Sequence, residues 1–223
     1  MNITIFGATG GVGRHLVDQA VDAGHAVTAV VRRPDALTRD VRIVRADLAD
    51  APSSALESAV ADADSVLSAL GPRSKDDALA HIVTRSTQGI IRAMKETDAR
   101  RLVVISAVPV PTVPSTARPD PPKNDPTDGF LMRTLLNPIV KAVFWTTYLD
   151  LAETEDAVSS SGLDWTIVRP PRLLDKPLTK VYRTSVEGNL PGGRAISRAD
   201  LAHCMLDCLA QPATIGQALR VAY

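Results

Sequence analysis

The sequence predicts an α/β protein, a single domain built on a doubly wound, mostly parallel sheet with a proline-rich loop inserted in it. Three observations predict this. Apolar runs with short flanks alternate with stretches of helical periodicity along the chain. Helices between consecutive strands leave a parallel sheet covered on both faces as the natural solution, with right-handed crossovers. A glycine-rich turn, Gly7-Ala8-Thr9-Gly10-Gly11-Val12-Gly13, joins the first run to the first helix. The length of 223 residues suits one such domain.

The elements follow in order. Residues 3–6 form a first strand. Residues 14–23 read as a helix, with Leu16, Val17, Ala20 and Val21 at helical spacing and Gly24 as the stop. Residues 26–31 and 41–44 are the second and third strands, the latter followed by Asp47. A helix over 53–61 precedes a fourth strand at 65–69, ending at Gly71. A long amphipathic helix spans 78–95, and a fifth strand spans 102–105. A helix over 149–160 leads to a sixth strand at 166–168, and 219–222 closes the chain as a last one.

One segment breaks the rhythm. Residues 107–129 carry Pro109, Pro111, Pro114, Pro119, Pro121, Pro122 and Pro126, which forbid a regular helix or central strand. The stretch reads either as a mobile surface excursion or as a lid, because it leaves a strand's carboxyl end, where ligands bind in open α/β sheets. After it come Phe130, Leu131, Leu135, Leu136, Ile139, Val140, Val143, Phe144 and Trp145. Their apolar content fits a pocket wall, a dimer contact or plain core packing. Residues 107–147 together are the expected substrate loop and helix.

Composition excludes some classes. The 25 basic and 25 acidic residues cancel, so no global field favours nucleic acid or a membrane surface. A local phosphate site needs only a few groups and stays open. The N-terminus has no basic n-region and no long apolar run, so neither signal peptide nor transmembrane segment is expected, and a cytoplasmic location follows by default. Cys204 and Cys208 are four apart on an expected helix beside His203. A zinc site needs about four ligands, so no metal is expected and buried helix-face thiols are the better reading.

The glycine turn carries the chemistry. Gly7, Gly10 and Gly13 depart from the strict G-x-G-x-x-G spacing, but the physics is shared. A strand turns sharply into a helix, the backbone must approach a pyrophosphate closely, and the helix's free N–H groups hold the anion. This is the Rossmann arrangement. At the end of the second strand, NAD recognition uses an acidic residue for the ribose 2′-hydroxyl. Here Val30-Val31-Arg32-Arg33 stands instead, with no acid until Asp35. Guanidinium groups bind a 2′-phosphate bidentately, so NADP(H) is the expected cofactor.

Several stretches then resemble a known family. The glycine turn resembles the opening of atypical short-chain dehydrogenases/reductases. Asp47-Leu48 resembles their adenine-contacting turn, Ala69-Leu70-Gly71 the turn after their fourth strand, and Ser106 the site serine ending the fifth. Ser161-Gly162-Leu163-Asp164-Trp165-Thr166-Ile167-Val168-Arg169-Pro170 resembles the sixth-strand signature of the NmrA-like group. Ile196-Ser197-Arg198-Ala199-Asp200-Leu201-Ala202 is similar to its late helix start, with Ser197 placed to cap and Asp200 in the first turn. The resemblance covers nearly the whole chain. By length and motif it extends to the biliverdin reductase B/flavin reductase type. It implies a monomeric or weakly dimeric NADPH reductase acting on a flat conjugated acceptor, with Arg169 and Pro170 beside the cofactor.

Many short-chain reductases use a tyrosine with a lysine four residues later. That pair is missing: Ala152 follows Tyr148, Val186 follows Tyr182, and Tyr223 is the last residue. Ser106 and Tyr148 remain as catalytic candidates, the former to bond the acceptor or the cofactor amide, the latter as proton donor. Asp150 and Glu153 share a helix face with Glu155 nearby, and a solvated face is the expectation. The function expected is NADPH-dependent reduction of a flavin, quinone or other conjugated carbonyl. The alternatives are an NmrA-type regulator that senses NADP(H) without turnover, and an epimerase or isomerase that recycles its cofactor.

Overall fold

The structure, a computed structural model, describes residues 1–34, 37–48, 50–72, 74–125, 137–186 and 188–223. Asp35, Pro126, Gly129, Phe130, Leu131, Leu135 and Leu136 lie outside the described residues, as does the side chain of Ile139.

The strands are β1 (Asn2–Phe6), β2 (Ala26–Val31), β3 (Arg42–Arg45), β4 (Ser65–Ser68), β5 (Arg101–Ile105), β6 (Asp164–Arg169), β7 (Arg172–Leu174), β8 (Arg183–Ser185), β9 (Ala195–Ser197) and β10 (Gln217–Ala222). Among the described residues, the main sheet has the order β3-β2-β1-β4-β5-β6-β10-β8. All neighbours are parallel except β8, which runs against β10. β7 and β9 pair separately. The order reverses between β1 and β4, and the crevice at that reversal is where open α/β sheets take ligands.

The helices are α1 (Gly11–Asp22), α2 (Ser53–Val60), α3 (Lys75–Leu79), α4 (Ile82–Glu96), α5 (Asn137–Val143), α6 (Trp145–Ser159) and α7 (Arg198–Asp207). Strand residues alternate between two apolar layers. Ile3, Ile5, Leu67, Val103 and Val221 meet α1 and α7 through Leu16, Val17, Leu201 and Met205. Phe6, Val66, Leu102, Val104 and Ile167 meet α2, α4 and α6 through Leu56, Val60, Ile90, Met94 and Val158. Both faces are therefore dry, as apolar strands require. Among the described residues no helix is long and apolar enough to cross a membrane.

The structure corrects several expectations. The helix expected over 78–95 is two helices, because His81 adopts a left-handed conformation (φ 50°) between α3 and α4. Asp150 explains the break. It is fully buried, not on a solvated face, and its carboxylate accepts from Val83 N (3.1 Å), Thr84 N (2.9 Å) and Thr84 Oγ1 (2.7 Å). It thereby satisfies the open first turn of α4 from the neighbouring helix. α1 starts inside the glycine turn, at Gly11. The short strands β7, β8 and β9 carry no apolar run long enough to read from sequence.

The proline-rich segment is strapped down as far as Asp125. Glu153 accepts from Thr116 N (3.2 Å) and Thr116 Oγ1 (3.1 Å), and Asp156 accepts from Ala117 N (2.7 Å). Asp125 pairs with Arg220 at 2.7 Å, both side chains buried. Three carboxylates and the buried Val110 and Val113 thus tie the described part of the segment, 107–125, to α6 and β10. Val140, Val143, Phe144 and Trp145 are exposed, so core packing does not account for them.

Candidate functional site

The carboxyl edge of the sheet collects the site. Gly7 leaves β1 with φ +74°, and a Cβ there would lie 2.8 Å from the Ala69 carbonyl oxygen at the end of β4. Gly7 therefore fulfils two needs, a left-handed turn and the close approach of two strand ends. Gly10 donates its N–H to Gly7 O at 2.9 Å. A Cβ on Gly13 would fall 2.0 Å from the same Gly7 oxygen. Ala8 and Val12 are buried in the first apolar layer and hold the turn from below. Arg14 Nε donates to Thr9 O at 3.1 Å. No side chain caps α1, and its first turn contains no acid. Among the described residues its leading N–H groups thus have no capping side chain and no first-turn acid to accept them, which is the condition for binding an anion from solution.

Arg32 and Arg33 are exposed beyond the carboxyl end of β2. Arg32 Nη1 stands 3.9 Å from Asp47 Oδ2, with both side chains well exposed, so the guanidinium is held only loosely. Leu48, Ala69 and Leu70 are half-buried and Gly71 is exposed. Leu70 packs against both the second apolar layer and a third cluster of Val83, Val110, Val113, Tyr148, Leu151 and Ala152. Tyr148 is thus brought to the mouth of β4, and Ala107, next to Ser106, packs against the same cluster. Burial raises the Tyr148 phenol above its ordinary range. Ala152, four residues on, is fully buried and offers no charge to reverse this.

Ser106 is buried at the end of β5, and its Oγ lies 2.6 Å from Glu155 Oε1. Arg169, ending β6, grips the same carboxylate with Nε at 2.8 Å and Nη2 at 2.6 Å. The ion-paired carboxylate is an acceptor, so Ser106 is the donor. Its single hydrogen is taken, and only its lone pairs remain for a ligand. Arg169, nominated as a cofactor contact, has two of its donors spent on Glu155. Pro170 is buried, and its carbonyl accepts from Val108 N at 3.1 Å, tying the proline-rich segment to β6.

Sequence reasoning passed over Glu155 as one more acid on a helix face. It also missed Arg198, which opens α7 and lies across Gly11: a Cβ on Gly11 would sit 2.7 Å from Arg198 Nε. Arg198 Nη1 also contacts Asp175 Oδ1 at 2.6 Å. The base of α7 is fixed firmly. Ser197 Oγ accepts from Asp200 N at 2.9 Å. Asp200 accepts from Thr179 N, Lys180 N and the Tyr223 phenol at 2.8, 2.7 and 2.7 Å. Burial by itself would raise the Asp200 carboxyl, but the Tyr223, Thr179 and Lys180 bonds outweigh it and lower it from 3.8 to about 2. A depressed pKa contributes stability in full above about pH 4, and that stability is lost as pH falls toward 2. Asp200→Asn is therefore expected to lower the melting temperature at neutral pH and to flatten its fall across that acid window. Parallel acid limbs for the variant and the unmodified protein would contradict this.

Tyr182 OH and His203 Nδ1 are 2.7 Å apart, and the two free cysteines are buried.

The family model for NAD(P)H-binding proteins matches residues 7–212, from the first glycine of the turn to just beyond α7. The chain belongs to the NAD(P)H-binding family. It is 26% identical over 219 residues to an uncharacterised chloroplastic protein of Arabidopsis thaliana, covering 94% of this chain and 72% of that protein. It is 35% identical over 114 residues to an uncharacterised Mycobacterium tuberculosis protein, where the match spans 51% of this chain but only 13% of that one. Among solved structures, anaerobillin reductase ChuY of Escherichia coli O157:H7 has TM-score 0.74 at 20% identity, with 100% of this chain and 97% of that one covered. A proposed NADH-flavin reductase of Streptococcus pneumoniae has TM-score 0.74 at 23%, covering 100% and 99%. A Veillonella parvula short-chain dehydrogenase/reductase in complex with NADP has TM-score 0.75 at 17%, covering 100% and 94%. At these identities the likeness shows the NAD(P)H-binding fold, so the acceptor must be argued from the site.

Proposed function

We propose that this chain is an NADPH-dependent oxidoreductase that reduces a flat conjugated acceptor, a flavin, quinone or conjugated carbonyl. The observation that carries the reading is the cradle at the switch point. Gly7 and Gly13 leave no room for a side chain, α1 is uncapped, and two exposed arginines follow β2 where NAD-selective sites place an acid. The residues fit a dinucleotide. Gly10, Gly11 and Val12 would take the pyrophosphate, Arg32 and Arg33 the 2′-phosphate, and Asp47 and Leu48 the adenine. Bound there, a reduced nicotinamide supplies hydride. Two reductases among the structural neighbours support the class of reaction.

The proton has a different source. Ser106, its hydrogen committed to Glu155, accepts a hydrogen bond from an amide or an acceptor N–H and orients it. Tyr148, buried and without a lysine, is a poor acid at neutral pH. Acceptors whose reduced form takes its proton from water suit such a site, which is why conjugated acceptors are favoured over simple ketones. The same lack of a proton-donating acid among the described residues favours, as a second reading, an NADP(H) sensor that binds without turnover.

Titration with NADPH and NADH, followed by an acceptor panel, tests this. Arg32→Ala with Arg33→Ala should weaken NADPH about 10–100-fold, the loss of one charged hydrogen bond or more, and leave NADH unchanged. NADPH oxidation with at least one flavin, quinone or enone is expected. Tight NADPH binding with no oxidation across the panel would select the sensor. Equal affinity for the two cofactors in the unmodified protein would refute the NADP assignment.

A further inference from the structure

We infer that Arg198 is a pyrophosphate ligand, a cation delivered by α7 to the glycine turn and parked on Asp175 until the anion arrives. The inference rests on the dinucleotide reading of that turn. It begins with a placement that is electrostatically wrong unless an anion joins it. The amino end of α1 carries the positive pole of the helix, and a cation beside it is repelled. Arg198 nevertheless lies against Gly11, the first residue of α1, where a Cβ would come within 2.7 Å of its Nε and 2.8 Å of its Cδ.

Nothing in the turn offsets that repulsion. α1 has no acid in its first turn and no capping side chain. Among the described residues the carboxylate that meets Arg198 is Asp175, which is 86% exposed, and exposed pairs contribute little. Arg198 itself is 29% exposed and rises from a rigid base, since Ser197 and Asp200 lock the start of α7. A doubly charged pyrophosphate between the α1 N–H groups and the guanidinium resolves the conflict, because each positive group then faces an anion. The same placement explains the extra glycine. Gly11 lies outside the Gly7, Gly10, Gly13 series, and its missing side chain is the space that Arg198 occupies.

The cofactor that responds distinguishes a pyrophosphate ligand from a 2′-phosphate ligand. The pyrophosphate is common to NADH and NADPH, so Arg198→Ala should weaken both by a similar factor, roughly tenfold or more for a lost charged hydrogen bond. The salt dependence of binding should become shallower for both. Asp175→Asn should act in the opposite direction, tightening both by freeing the guanidinium. Calorimetric titration of NADPH and NADH into the three proteins, each checked for an unchanged melting profile, reads this directly. If the unmodified chain binds and Arg198→Ala binds both cofactors as well, or loses NADPH alone, the inference is overturned and the dinucleotide reading stands. If Asp175→Asn weakens binding as Arg198→Ala does, the pair is a structural tie and the inference is again overturned. If the unmodified chain binds neither cofactor, the dinucleotide reading falls and takes this with it.

Discussion

Glu155→Gln is expected to destabilise the protein by about 3–5 kcal/mol, because it leaves the Arg169 guanidinium buried against a neutral amide. The carboxylate and the guanidinium expose only 5% and 12% of their side chains, so water cannot make good the loss. For a chain of this size the melting temperature should fall on the order of 10 °C. Removing both charges, Glu155→Leu with Arg169→Met, should recover most of that, since no unpaired charge then remains. A drop of under about 1 kcal/mol in the single variant would mean that the pair behaves as a surface bridge. The variants also test the part given to Ser106. With the carboxylate gone, its hydroxyl hydrogen is no longer held at 2.6 Å and can turn toward the cleft. A change in acceptor preference in the refolded double variant is expected.

Gly13→Ala should be comparably damaging for a steric reason. The added methyl would stand 2.0 Å from Gly7 O and 2.7 Å from Gly7 C, both backbone atoms of the turn itself. No side chain can swing aside, so either β1 or α1 must shift, at about 3 kcal/mol or more. NADPH binding should vanish with the turn. Gly71→Ala is the contrast, since open space surrounds the position and its change in stability should stay within about 0.5 kcal/mol. Thermal melts of the two variants side by side decide the matter. A Gly13→Ala protein that melts normally and binds NADPH normally would show that the turn is not closely packed at Gly13.

Much of this was legible in the residues. The apolar runs at 26–31 and 102–105 match β2 exactly in extent and β5 within one residue, because a strand buried on both faces must be apolar along its length. The glycine turn was legible because close backbone approach leaves a compositional mark. What was misread shares one cause. Asp150 and Glu155 look alike in sequence, two acids on one helix, yet one caps α4 and the other pins Ser106 and Arg169. A carboxylate's task depends on which donors another element brings to it, and those donors lie 66 and 49 residues away in the chain for Thr84 and Ser106.

The sequence by itself determined the class of sheet, the glycine turn after β1 and the two arginines after β2. All of these are local: a run, a turn and its neighbours carry the whole signal in a few consecutive residues. Only the tertiary structure decided that Ser106 gives its hydrogen to Glu155, that the proline-rich segment is tied down by Glu153, Asp156 and Arg220, and that Arg198 rests on the glycine turn. Those facts join segments brought together by the packing of α1, α6 and α7 on the sheet. Charge pairing across such distances leaves no periodicity in the chain from which it could be read.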